Sequence, residues 1–227
     1  MKAGLAAAVL VIGLGGCGAA STSSEDRESA LRYVALGDSY TIGTSVRPAE
    51  SWPTQLVARV PALQLVGNLG VNGYTSTDLI NEELPALAGL RPEFVTLLIG
   101  VNDVVQGVPE ERYRANVEEI LDAMLGSVAV DRALCIATPD YTVTPQGAAF
   151  GSPEQQRAGI ERGNQVLAEA CAARDIGFVP EVFAVSQAAA SDRSLVADDG
   201  LHPSGAQYAM WVDAIQPEVE ALLRAFD

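Results

Sequence analysis

The chain has 227 residues, with 14 basic against 29 acidic side chains, a formal charge of −15 and a single histidine. One His and three scattered Cys cannot supply the closely spaced ligands of a usual zinc site, and the absence of Lys and Arg clusters disfavours nucleic-acid binding. The length and the hydrophobic content of 48% predict a folded globular protein with a sizeable core.

The N-terminus has the pattern of an export signal. One lysine precedes the apolar stretch Ala3 to Gly16, which is shorter than the roughly 20 residues that span a bilayer as a helix. The letters Leu14-Gly15-Gly16-Cys17 resemble a bacterial lipobox. We therefore expect a signal peptide over residues 1–16, lipidation of Cys17 and a tether over residues 17–30. The protein would then be attached to the extracytoplasmic side of a bacterial membrane; the alternative is a secreted soluble protein.

From residue 31 on, short apolar runs rich in β-branched residues alternate with amphipathic stretches. This alternation predicts an α/β fold, with a central parallel sheet and helices on both faces. The predicted strands are Tyr33–Leu36, Leu63–Val66, Phe94–Ile99, Ala133–Ala137 and Gly177–Val179. No repeat or change of composition divides residues 31–227, which we interpret as one domain.

Helices are predicted between the strands. The clearest runs from Pro109 to Leu125, because proline and two glutamates suit a helix start and apolar residues follow at helical spacing. A second begins at Pro153 and extends toward Arg174. The last begins near Ser204, and we expect it to be broken at Pro217, which lacks the N–H that a helix interior requires.

Two long loops, Pro139 to Ser152 and Phe183 to Leu201, each follow a predicted strand. In open α/β sheets, loops beyond the carboxyl ends of the strands build the ligand site. Tyr141, Val143 and Phe150 in the first loop are candidates for the wall of an acyl pocket. The alternative is that they only pack the loop against the domain.

Two cysteines lie in the predicted domain. Cys135 falls within an apolar strand and Cys171 on the apolar face of a helix, so we interpret both as buried free thiols. A disulfide between them is the alternative in an exported protein. A cysteine nucleophile acting with the histidine is the weakest option, since Cys135 is in mid-strand and not at a strand end.

Polar and glycine-rich segments follow the first three predicted strands. Ser39 comes directly after the first strand, and Gly37 permits a sharp turn that exposes its hydroxyl. The segments Asn68 to Gly73 and Gly100 to Asp103 follow the second and third strands. Carboxyl ends of parallel strands share one edge of a sheet, so uncharged donors from these segments could stabilise an oxyanion there.

The only histidine lies in the segment Asp199-Gly200-Leu201-His202-Pro203. Gly200 and Pro203 indicate a turn, and in a turn of this spacing the Asp199 carboxylate can reach a ring N–H of His202. That contact would leave the other ring nitrogen free to act as a base. A surface loop whose histidine caps the following helix is the alternative that the spacing alone leaves open.

Taken together, these four blocks resemble the SGNH hydrolase superfamily, the GDSL-type esterases and lipases. The four family residues correspond to Ser39, Gly73, Asn102 and His202, and the resemblance extends from residue 31 to about residue 215. Tyr40 stands where the name-giving motif has leucine. The ordinary α/β-hydrolase motif Gly-x-Ser-x-Gly is absent from the sequence.

The resemblance implies a flavodoxin-like three-layer α/β/α sandwich with about five parallel strands, and a serine hydrolase of acyl or acetyl esters. Ser39 would be the nucleophile, His202 the general base and acid, and Asp199 the residue that orients the imidazole. The N–H groups of Ser39 and Gly73 and the amide of Asn102 would form the oxyanion hole. No metal or cofactor would be required.

Alternatives concern the substrate and the class of protein. The same fold could serve a carbohydrate O-acetylesterase or an acyltransferase, and the ester could be a small molecule, a glycan or a lipid. A non-catalytic binding lipoprotein is a further alternative. The presence of Ser39, Asn102, Asp199 and His202 in register argues against it, since binding alone needs none of them.

Overall fold

The computed structural model describes Met1 and residues 30–224. The predicted signal peptide, Cys17 and nearly all of the tether lie outside the described residues, so export and lipidation stay predictions. No helix in the described part of the chain is long and apolar enough to cross a membrane.

The five strands form one parallel sheet in the order β2-β1-β3-β4-β5. They are β1 (Leu31–Gly37), β2 (Leu63–Asn68), β3 (Phe94–Leu98), β4 (Ala133–Ile136) and β5 (Gly177–Val179). All five predicted strands are confirmed. This order is the flavodoxin-like one, in which the chain changes direction across the sheet between β1 and β3, and a crevice opens there at the carboxyl ends of the strands.

The helices cover both faces of the sheet. They are α1 (Ser39–Ile42), α2 (Trp52–Arg59), α3 (Ser76–Asp78), α4 (Leu84–Leu90), α5 (Val101–Val105), α6 (Glu110–Leu125), α7 (Pro153–Ala172), α8 (Glu181–Ser186) and α9 (Gly205–Arg224). A π-helical turn, Leu79–Glu83, connects α3 to α4. The predicted three-layer α/β/α architecture is confirmed.

Two apolar cores lie on opposite faces of the sheet, because successive side chains of a strand point to opposite sides. Tyr33 and Ala35 of β1 pack in one core with residues of α2 and α9, including Trp211. Val34 and Leu36 pack in the other core with residues of α4, α6 and α7. Burial on both faces explains why the central strands β1, β3 and β4 appear as nearly continuous apolar runs in the sequence.

The predicted break at Pro217 is wrong, because α9 continues through this residue to Arg224. Because Pro217 has no N–H, the backbone carbonyl of Asp213, four residues earlier, lacks its helical hydrogen bond. Both residues are exposed. The solvent can therefore satisfy that carbonyl. Ile215 and Val219, one on each side of the proline, are buried in the core and hold the helix in one piece.

The second predicted loop also needs correction. Its first residues, from Phe183, belong to α8, and the 3₁₀ turns Gln187–Ala190 and Arg193–Leu195 follow. Ala189 and Leu195 of these turns form a small apolar cluster with the following Val196, which gives the segment a core of its own.

Cys135 and Cys171 are free and fully buried, as predicted. Both belong to the core that β4 shares with α7.

Candidate active site

Ser39 is the first residue of α1 and lies at the turn that follows β1. The turn requires glycine: Gly37 has a φ of 152°, and a Cβ there would lie 2.3 Å from the Leu98 carbonyl oxygen. Asp38 caps the helix, because its Oδ1 accepts a hydrogen bond of 2.9 Å from the Tyr40 amide. The turn therefore holds Ser39 at the edge of the sheet, where it is 7% exposed.

His202 and Asp199 form the pair that their spacing predicts. His202 Nδ1 lies 2.6 Å from Asp199 Oδ2, while Asp199 Oδ1 accepts hydrogen bonds of 2.9 and 3.0 Å from the amides of Leu201 and His202. Gly200 makes this tight turn possible with a φ of 79°. With the proton on Nδ1, the lone pair of Nε2 is available to a substrate or nucleophile.

A contact that sequence analysis missed adds to this pair. Ser45 Oγ donates a hydrogen bond of 2.6 Å to Asp199 Oδ2, the oxygen that also contacts His202. Ser45 adopts a left-handed φ of 65°, which costs a residue with a side chain of order 1 kcal/mol. The two residues are 154 positions apart, and no sequence signal connects them.

Asp199 is held in its ionised form. Partial burial on its own would raise the pKa of Asp199, but hydrogen bonds from Ser45, His202 and two backbone amides hold it well below its usual range. A carboxylate that stays charged can stabilise an imidazolium on His202 over the whole neutral pH range.

Tyr40, the residue that departs from the name-giving motif, packs against the imidazole. Its ring centroid lies 5.3 Å from that of His202 and 6.2 Å from that of Trp211. The aromatic side chain at this position thus fills the space behind His202 and limits its movement.

Ser39 and His202 line one cavity of about 160 Å³ at the carboxyl end of the sheet, together with Gly73 and Asn102. The structure thus brings Ser39, Gly73, Asn102 and His202 together, with Asp199 bonded to His202 behind them. Within residues 30–224, no hydrogen bond links Ser39 Oγ to His202. Such contacts are often long in enzymes without substrate and shorten in the substrate complex.

The three predicted oxyanion donors are arranged around this cavity. The backbone N–H groups of Ser39 and Gly73 have no acceptor among the described residues. Asn102 Nδ2 donates to the Tyr74 carbonyl oxygen at 2.9 Å, and makes only a long contact of 3.4 Å to Asp38 Oδ2. The hydrogen bond to Tyr74 orients the Asn102 amide. The long contact to Asp38 holds the second proton of the amide only weakly.

Beneath Ser39 lies a group of buried carboxyls that sequence analysis did not identify as a unit: Asp38, Glu83 and Asp103. Burial raises the pKa of Asp38 to about 7 and that of Glu83 to about 8. Burial also raises the pKa of Asp103, whose two oxygens accept hydrogen bonds from the amide and hydroxyl of Ser76. Glu83 Oε2 accepts from the Gly37 amide at 2.9 Å, which connects this group to the turn that carries Ser39.

The raised pKa of Glu83 predicts a pH-dependent stability. Between its ordinary pKa of 4.5 and about 8, unfolding releases a proton that the folded protein retains, so stability falls as pH rises through this window. We expect Glu83→Gln, which keeps the acceptor for Gly37 but carries no charge, to match the wild type near pH 4.5. At pH 9 its Tm should be higher by about 5 °C or more.

Thermal unfolding followed by circular dichroism from pH 4.5 to 9 measures this difference. Glu82→Gln is the matched control, since Glu82 is the exposed neighbour on the same turn and its replacement should not change the pH dependence. A Tm difference between Glu83→Gln and wild type that is the same at every pH would contradict the prediction.

No group of three His, Cys, Asp or Glu side chains within the described residues is arranged to hold a metal ion.

Comparison with known proteins places the chain in a family. Residues 35–210 match the model of the GDSL-like lipase/acylhydrolase family. No curated protein matches the chain.

Three solved structures show the same fold. A lipase/acylhydrolase from Enterococcus faecalis is 23% identical, with a TM-score of 0.65 over 84% of this chain and 96% of that one. Axe2, an acetylxylan esterase from Geobacillus stearothermophilus, is 20% identical, with a TM-score of 0.65 over 84% and 94%. The esterase EstA from Pseudoalteromonas sp. is 16% identical, with a TM-score of 0.64 over 85% and 98%.

The family model covers more than half of the chain and includes the turn of Ser39, the donors around the cavity and the Asp199–His202 pair. The chain therefore belongs to the GDSL-like lipase/acylhydrolase family and is a carboxylic ester hydrolase.

Proposed function

We propose that the protein hydrolyses carboxylic esters with a catalytic triad of Ser39, His202 and Asp199. The observation that carries this proposal is the cavity that Ser39 shares with His202. The Nδ1 atom of His202 is hydrogen-bonded to Oδ2 of an ionised Asp199 at 2.6 Å. A base oriented in this way beside a hydroxyl is the arrangement that activates a serine nucleophile.

In the first half of the reaction, Ser39 Oγ attacks the carbonyl carbon while His202 Nε2 takes its proton. The tetrahedral intermediate carries its negative charge on the former carbonyl oxygen, where the N–H groups of Ser39 and Gly73 and the amide of Asn102 stabilise it. The intermediate then collapses, the bond to the alcohol oxygen breaks, and His202 returns the proton to the departing alcohol.

In the second half, a water molecule attacks the acyl group on Ser39. His202 takes a proton from this water and returns it to Ser39 Oγ when the acyl–oxygen bond breaks, which releases a carboxylic acid and restores the enzyme. The two halves consume one ester and one water and produce one acid and one alcohol.

A second acceptor in place of water would make the protein an acyltransferase, and an acetylated carbohydrate as substrate would make it an O-acetylesterase. The similarity to Axe2 favours the second of these, because that protein is an acetylxylan esterase. Both use the same covalent step on Ser39.

Covalent labelling tests that step directly. An alkyl fluorophosphonate should transfer one phosphonyl group to Ser39 with loss of fluoride. The rate of 4-nitrophenyl ester hydrolysis should fall in proportion to the fraction of the protein that is labelled. Intact-protein and peptide mass spectrometry measure the stoichiometry and the site. The wild type and Ser191→Ala, which removes an exposed serine far along the chain, should be labelled equally, whereas Ser39→Ala should take up no label. Labelling of another residue, or ester hydrolysis that persists in Ser39→Ala, would contradict the triad.

A further inference from the structure

We infer that the cavity beside Ser39 accepts only short, uncharged acyl groups of up to about six carbon atoms, and that Phe150 sets this limit. The inference rests on the proposed function, because it describes the acyl part of the ester that Ser39 would attack.

The size of the cavity is the first observation. Its volume is about 160 Å³, whereas pockets for drug-sized ligands measure roughly 300–1,000 Å³. An apolar cavity of about 150 Å³ in another protein holds one benzene molecule, which has six carbon atoms. An acyl chain much longer than six carbons would therefore extend beyond this cavity.

The chemistry of the wall is the second observation. Besides Ser39, His202 and the predicted oxyanion donors, the cavity is lined by one further polar residue, Asn72, and otherwise by apolar and aromatic side chains: Tyr40, Val101, Val105, Leu201, Tyr141 and Phe150. Neither lysine nor arginine is among its described lining residues, so a carboxylate on the acyl group would be buried without a counter-charge. These surroundings suit a neutral hydrocarbon chain.

The wall that closes the cavity is anchored to α7. The Tyr141 hydroxyl donates to Gln156 Oε1 at 2.7 Å, and Gln156 Nε2 donates to the Phe150 carbonyl oxygen at 3.0 Å. The Tyr141 and Phe150 rings meet edge to face with centroids 5.6 Å apart. The preceding Asp140 is fully buried and is paired with Arg157 of α7 at 3.4 Å. Because one glutamine holds both aromatic residues, the wall is a fixed part of the domain.

Phe150 is the outer part of this wall. Phe150 is 37% exposed, whereas Tyr141 is 2% exposed. Removal of the Phe150 ring therefore opens the cavity toward solvent, while the hydrogen bond from Gln156 to the backbone of residue 150 remains. Val143 lies in the same loop but packs with the small cluster of Ala189 and Leu195, away from the cavity.

The test is kcat/KM for 4-nitrophenyl esters from acetate to palmitate, measured on the wild type, Phe150→Ala and Val143→Ala. The wild type should be most active on chains of two to six carbons and decline steeply beyond them. Each further methylene that can be buried is worth about fourfold. Phe150→Ala should therefore raise the ratio of octanoate to butanoate activity about tenfold or more. Val143→Ala should leave the ratio unchanged.

Three results would overturn the size limit, and they differ from failure of the proposed function. The first is wild-type hydrolysis of palmitate as efficient as that of butanoate. The second is an unchanged ratio in Phe150→Ala, and the third is an equal change in Val143→Ala. Absence of hydrolysis of every ester would instead overturn the proposed function, and the size limit with it.

Discussion

Replacement of His202 by alanine is expected to lower kcat for ester hydrolysis by about 10⁴-fold or more. His202 is the only histidine of the chain, so no second imidazole can assume the role of a base that we propose for it at neutral pH. The Nδ1 atom of His202 is hydrogen-bonded to an ionised Asp199, and the residue lines the same cavity as Ser39. Steady-state hydrolysis of a 4-nitrophenyl ester by the purified variant measures the effect.

Two controls separate loss of the base from loss of the fold. His202→Ala should keep the circular dichroism spectrum of the wild type, and Asp199→Asn should lower kcat by a similar order while it preserves the imidazole. Diethyl pyrocarbonate, which acylates imidazole, should inactivate the wild type through modification of one residue. If His202→Ala retains more than a tenth of wild-type kcat, His202 is not the general base.

Replacement of Asn102 by alanine is expected to lower kcat by about 10²- to 10³-fold, as for one lost oxyanion donor. The Tyr74 carbonyl orients the Asn102 amide, whose remaining proton makes only a 3.4 Å contact to Asp38 and is therefore available to an oxyanion. Since this hydrogen bond strengthens as negative charge develops, kcat should fall while KM changes little.

Asn102→Asp is the matched variant, because it keeps the size of the side chain and removes the donor. We expect its kcat to fall at least as far as that of Asn102→Ala, since it also places a carboxylate near Asp38. Full activity in Asn102→Asp together with a loss in Asn102→Ala would assign Asn102 a packing role. Unchanged kcat in both would remove it from the oxyanion hole.

Much of the fold could be predicted because the signals for it are local. The five strands appear in the sequence as short apolar runs, and the three central strands β1, β3 and β4 are buried on both faces in the structure. Pro217 shows the limit of local reasoning. Its missing N–H predicts a broken helix, but burial of Ile215 and Val219 on either side keeps α9 continuous.

The candidate site divides in the same way. Asp199 and His202 could be paired from the sequence, because a three-residue spacing within one turn limits where the carboxylate can reach. Ser45 and Glu83 could not be found in that way. Ser45 meets Asp199 across 154 positions, and Glu83 meets Gly37 across 46.

By itself, the sequence determined the residue types available for chemistry: one imidazole, a serine after the first strand, and uncharged donors after the next two. It also determined the turn that joins Asp199 to His202, since turn conformation depends on neighbours in the chain. Only the tertiary structure decided that Ser45 binds Asp199, that three carboxyls are buried beneath Ser39, and that Tyr141 and Phe150 close a cavity of about 160 Å³. The physical reason is that burial and cavity size depend on how distant segments pack, and no local pattern of residues encodes them.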